Sequence, residues 1–143
     1  MDHVELGRTF RVLDRAAQED ADGAIGHYSG LLAKTGWPDI LGRSRVVVLA
    51  EAGSGKTAEM KAQVGQLRAR GEAAFFVPIE ELGQAELAAT LPPTDLAMFT
   101  SWKAGNLATA WLFLDAVDEL KLTRGRFDTA LKRVARAIDG QLH

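Results

Sequence analysis

Residues 46–60 read VVVLAEAGSGKTAEM, and no other stretch restricts the fold of this chain as much. An unbroken apolar run passes directly into Gly-Ser-Gly-Lys-Thr, and a helix-forming sequence follows. A run that is apolar throughout, rather than alternating, fits a strand covered on both faces, as in a parallel sheet. The pattern predicts that strand over Arg45–Ala50. Glycines at its exit let the backbone turn tightly, and a helix is predicted from Lys56 to Arg70, ended by Gly71.

The rest of the chain continues the alternation. AAFFVPI at 73–79 predicts a second strand. Glu80–Leu91 predicts a helix stopped by Pro92-Pro93, after which Thr94 or Asp95 caps another helix ending near Gly105. ATAWLFLDAV at 108–117 predicts a third buried strand. Phe127, Ala130, Leu131, Val134 and Ile138 recur at helical spacing and predict a helix over 126–138. Strands alternating with helices give an α/β class with a mainly parallel sheet. Residues 1–44 are weakly patterned and read as a lead-in segment before a main domain at 45–143. Within them RTFRVL suggests a short strand and DRAAQEDADGAIG a loop or loosely held helix. The stretch from Gly26 to Ser44, broken by Gly36 and Pro38, suggests short helical pieces.

A length of 143 residues is enough for one domain with a core. A formal net charge of -2 gives no reason for broad attraction to nucleic acid or membrane surfaces. There is no cysteine, so disulfide and thiol chemistry are excluded. The first twenty residues are charged throughout and contain no apolar core of a secretory signal. The apolar runs near 46–50 and 111–114 are far too short to span a bilayer. The cytoplasm is the default expectation.

Residues 50–57, Ala-Glu-Ala-Gly-Ser-Gly-Lys-Thr, match G-x-x-x-x-G-K-[ST] with Ala50 in place of the first glycine. Each residue type has a physical role on a phosphate. The Ala52-Gly53-Ser54-Gly55 backbone can bring N–H groups against phosphate oxygens. The loop feeds a helix N-terminus, where unpaired N–H groups and the helix dipole favour an anion. Lys56 supplies a point charge for the outer phosphates, and the Thr57 hydroxyl is a ligand for Mg2+. The plain alternative is a glycine turn with a chance Gly-Lys-Thr; the strand before it and the helix after it argue against that.

WLFLDAVDEL at 111–120 is the second constellation. In open α/β sheets ligands bind at the carboxyl ends of strands, so Asp115 is expected on the same edge as the phosphate loop. A carboxylate there can hold Mg2+ through water. A second one, from Asp118 or Glu119, could orient or deprotonate an attacking water. The plain alternative is a solvated acidic turn.

EAGSGKT together with LFLDAVDEL resembles the NACHT group of the STAND class of P-loop NTPases. Asp115, Ala116, Val117, Asp118 and Glu119 match that group's acidic motif in order, whereas many other P-loop ATPases place the glutamate directly after the aspartate. GWPDILGRS and MFTSW also resemble bacterial members. The resemblance implies a three-layer P-loop sandwich, Asp115 on Mg2+, and Asp118 as general base with Glu119 in support. It further implies an ATP-binding, Mg2+-dependent conformational signalling switch, with hydrolysis by the full-length protein and oligomerisation on activation, in a role such as defence. Members of the group continue with a sensor strand between the first and third strands and with further segments. The chain is therefore expected to be the front part of the module, completed by the remainder or by a partner chain. Two other readings stay open: another P-loop ATPase or kinase, and a nucleotide-binding scaffold without turnover.

His3, His27 and His143 show no metal-ligand spacing. Arg124, Arg126, Lys132, Arg133 and Arg136 make the last helix basic on one side, which reads as a solvated face. Trp37, Trp102 and Trp111 read as packing residues.

Overall fold

The computed structural model describes residues 9–10, 35–46, 48, 53–115 and 124–139. The chain divides into two compact units, Met1–Leu49 and Ala50–His143.

In the first unit Phe10 and Thr35 form an isolated antiparallel bridge, with N–H···O distances of 2.7 and 3.2 Å. Helix α1, Trp37–Leu41, starts with a proline in its first turn, whose missing N–H costs nothing there. The Gly36 N–H donates to Asp39 Oδ2 at 3.0 Å, which satisfies one of the groups left over at the helix start. The Phe10 and Trp37 rings meet edge to face at 5.0 Å. Of RTFRVL, the described residues Thr9 and Phe10 contribute the bridge at Phe10, and 8 and 11–13 lie outside the described residues.

The predicted strand over Arg45–Ala50 is not seen in its described part. Arg45, Val46 and Val48 belong to no strand, and Val46 is 42% exposed. Residues 47, 49 and 50 lie outside the described set. An apolar run becomes a strand only when a neighbouring backbone satisfies its N–H and C=O groups, and among the described residues none does so for these three.

The second unit is mixed α/β. Helix α2, Lys56–Ala69, is built from strong helix formers (Lys, Ala, Glu, Met, Gln, Leu, Arg). It ends as the sequence predicts, with Gly71 at φ 79°. The Gly71 N–H donates to Arg68 O at 2.9 Å and the Glu72 N–H to Leu67 O at 3.1 Å, so two terminal carbonyls are satisfied by the left-handed turn.

Strands β1, Ala73–Pro78, and β2, Ala110–Asp115, pair in parallel, with Ala73 opposite Ala110 and Pro78 opposite Asp115. Parallel neighbours need a long crossover, here supplied by α3, Ile79–Leu82, α4, Leu87–Thr90, and α5, Pro93–Lys103. Helix α6, Arg124–Ile138, follows β2. The single helix predicted over 80–91 is therefore two short ones. Gly83 caps the first, with N–H bonds to Ile79 O and Glu80 O, and the chain turns through Gln84 and Ala85. Helix α5 also starts earlier than predicted. Pro92 is its cap residue and Pro93 occupies its first turn, which leaves Asp95 inside that turn rather than at the cap.

Side chains alternate across a sheet, and the two faces do different things. Ala73, Phe75 and Val77 of β1, with the half-buried Ala110, Leu112 and Leu114 of β2, face a core completed by Ile79, Leu82, Leu87, Leu91, Phe99 and Ala130. Burial of each large apolar side chain there contributes roughly 1.5–3 kcal/mol. The Phe75 and Phe99 rings meet edge to face at 5.6 Å. The alternate residues belong to the face served by α2, where Lys61 Nζ stands 5.0 Å from the Phe76 ring centroid.

Helix α6 is not simply a solvated basic face. Arg133 Nη1 donates to Leu82 O at 2.8 Å and its Nε to Glu86 Oε1 at 3.2 Å, which ties α6 to α3 and to the residue before α4. Among the described residues no helix is long and apolar enough to cross a membrane.

Candidate phosphate and metal site

The site begins with two backbone positions. Gly53 has φ 74° and Gly55 has φ 85°, both in the left-handed region. A Cβ added at Gly53 would meet nothing within 4 Å, so glycine is needed there for its conformation rather than for space. Gly55 is the cap residue of α2, and no side chain caps the helix. The first turn after it carries Lys56 and Thr57. Its N–H groups lack carbonyls four residues back within the helix and lie at the positive end of the helix dipole. The Ser54 hydroxyl oxygen is buried.

The site is completed from the other side of the sequence. Asp115 is the last residue of β2 and is only 9% exposed. Thr57 Oγ1 donates to Asp115 Oδ2 at 2.6 Å, a short charge-assisted bond across 58 positions of sequence. A hydroxyl that gives its proton to a carboxylate keeps two lone pairs on its oxygen. The pair is therefore an all-oxygen donor set, of the kind that hard divalent cations prefer. Among the described residues no group of three His, Cys, Asp or Glu side chains gathers to hold a metal. Mg2+ is commonly held by one or two protein oxygens together with phosphate oxygens, so the pair fits it without such a cage.

Of the residues the sequence singles out, Gly53, Ser54, Gly55, Lys56 and Thr57 lie in one turn and helix start, and Asp115 is brought to Thr57. Ala52, Asp118 and Glu119 lie outside the described residues. Two polar features had no sequence signal. Glu59 and Gln63, four apart on α2, are each only 7% exposed. Arg68, near the end of α2, donates from Nη2 to Asp95 Oδ2 at 2.7 Å and from Nε to Ala74 O at 2.9 Å. Arg68 and Asp95 sit on separate helices 27 positions apart, so no local spacing could pair them.

No protein-family model, curated protein or solved structure matches this chain.

Proposed function

We propose that this chain carries the phosphate- and Mg2+-binding part of an ATP-binding P-loop NTPase module of NACHT/STAND type, working as a conformational signalling switch. The single observation that supports this most is the Thr57–Asp115 hydrogen bond at 2.6 Å. The motif reading assigns both residues to one Mg2+ site from sequence positions far apart. The two left-handed glycines beside it support the same reading, because a phosphate cradle needs backbone N–H groups turned inward. The resemblance of EAGSGKT and LFLDAVDEL supplies the family and the switch.

In this reading the loop N–H groups and the start of α2 bind phosphate oxygens, and Lys56 adds a positive charge against them. Thr57 Oγ1 and Asp115 would hold Mg2+, which when bound supplies positive charge against the phosphate oxygens. Asp118 takes a proton from the attacking water, with Glu119 in support.

Calorimetric titration with ATP, with and without Mg2+, tests the binding part. Tight Mg2+-dependent binding by the full-length protein is expected, and no binding by it in either condition overturns the reading. Hydrolysis by the full-length protein tests the rest. Asp118→Asn is expected to slow turnover while leaving binding nearly intact. Normal turnover in Asp118→Asn with loss in Glu119→Gln would transfer the base role to Glu119.

A further inference from the structure

Helix α2 carries Lys56 and Thr57 at its start. Four residues of α2 are buried, and only two of them, Val64 and Leu67, are apolar. Both lie in its second half. The first two turns bury Glu59 and no apolar side chain fully, so apolar packing does little to set where the helix start stands. Among the described residues directional bonds hold it at both ends, and Lys61 Nζ stands over the Phe76 ring between them. At the start Thr57 bonds Asp115 on β2. At the far end Arg68 holds the Ala74 carbonyl of β1 at 2.9 Å and the Asp95 carboxylate of α5 at 2.7 Å. The Arg68 side chain is one third exposed and that of Asp95 13% exposed, so the pair is partly shielded from water.

We propose that Arg68 is a positioning residue for the phosphate and metal site, fixing the far end of α2 and thereby where Lys56 and Thr57 stand against Asp115. The inference rests on the phosphate-site reading above. The geometry gives it leverage. Thr57 and Arg68 are separated by roughly 16 Å along the helix axis at ~1.5 Å per residue, so a tilt of about 5° at Arg68 moves the start by about 1.4 Å. Displacements of that size matter to a site that must align several oxygens on one cation. A guanidinium suits the task because its planar fork reaches two acceptors at once, which an ammonium does with less geometric restraint.

The test compares wild type, Arg68→Ala, Arg68→Lys and Asp95→Ala by calorimetry. ATP is titrated in EDTA, and again across a Mg2+ series. Backbone N–H groups and Lys56 carry the metal-free affinity, whereas the metal needs Thr57 and Asp115 in register. Arg68→Ala is therefore expected to raise the Mg2+ concentration for half-maximal binding by about tenfold, with a much smaller change in EDTA. Arg68→Lys should recover part of that shift. Asp95→Ala, which leaves Arg68 on the Ala74 carbonyl, should show a smaller shift in the same direction. A role in stability alone would lower the melting temperature without moving the Mg2+ midpoint of the folded protein. An unchanged midpoint in Arg68→Ala overturns the positioning role and leaves the phosphate site standing. If Arg68→Ala does not fold, Asp95→Ala decides, and an unchanged midpoint there overturns the proposal. A full-length wild-type protein that binds ATP in neither condition overturns both.

Discussion

Thr57 at the start of α2 and Asp115 at the end of β2 are joined by a 2.6 Å hydrogen bond from a hydroxyl to a carboxylate that is only 9% exposed. The bond connects a helix start to a strand end, so it carries both stability and the candidate metal site. Two substitutions separate these roles. Thr57→Val keeps the shape but leaves the carboxylate without its donor, and a buried group stranded in this way costs ~1–3 kcal/mol. Asp115→Asn can still accept from Thr57, so its stability should stay near wild type while its Mg2+ dependence is disturbed. Urea unfolding and Mg2+ titration of both variants check this. Equal stability of Thr57→Val and wild type would show that the bond is not made in solution.

Lys56→Ala should weaken Mg-ATP binding strongly. Hydrogen bonds to charged groups contribute about 1.5–3 kcal/mol, which corresponds to about ten- to a hundredfold in affinity. Calorimetry on the wild type and variant measures it. Equal affinities would remove Lys56 from the phosphate site.

Glycine substitutions should divide by backbone conformation rather than by crowding. Gly53 and Gly65 both have open space where a Cβ would go, but only Gly53 has a positive φ, at 74°. Gly53→Ala should cost ~1–2 kcal/mol, the penalty for a side chain in the left-handed region. Gly65 lies exposed in the interior of α2, so Gly65→Ala should stabilise by about 0.4–1 kcal/mol. Thermal melts of the two variants should move in opposite directions. A lowered melt for Gly65→Ala would mean that another surface packs against that position.

The arginines of α6 should be unequal. Arg133 is 21% exposed in its side chain, and it satisfies the Leu82 carbonyl and pairs with Glu86. Arg133→Ala should destabilise by ~1–3 kcal/mol through the carbonyl left without a donor. Arg136 is 69% exposed and reaches Glu86 at 3.5 Å. Arg136→Ala should change stability by no more than about 0.5 kcal/mol. Chemical denaturation of the two variants gives the comparison directly.

Local features of this protein were legible without its structure. The run AAFFVP forms a strand, KTAEMKAQVGQLRA a helix ended by Gly71, and RGRFDTALKRVARAI a helix with Phe127, Ala130, Val134 and Ile138 toward the core, while Leu131, grouped with them by spacing, is 42% exposed. The two helices follow from interactions between near neighbours: helix propensity, side-chain periodicity and the freedom of glycine at positive φ; the strand was legible as an apolar run, and its pairing with β2 completes it. The left-handed turn at Gly53 and Gly55 belongs with them, as does the presence of a threonine and an aspartate suited to a hard cation.

Tertiary structure decided how those pieces meet. It placed Thr57 on Asp115, Arg68 on Asp95 and Arg133 on Leu82, contacts that span 58, 27 and 51 positions. It also divided 79–90 at Gly83 and turned Asp95 from an expected cap into a partner for Arg68. The apolar run at 45–50 marks the same boundary: its composition favours a strand, yet Arg45, Val46 and Val48 form none. Strand formation and long-range pairing depend on a second backbone or side chain arriving with the right geometry, and the packing of other elements sets that geometry rather than the residues alongside.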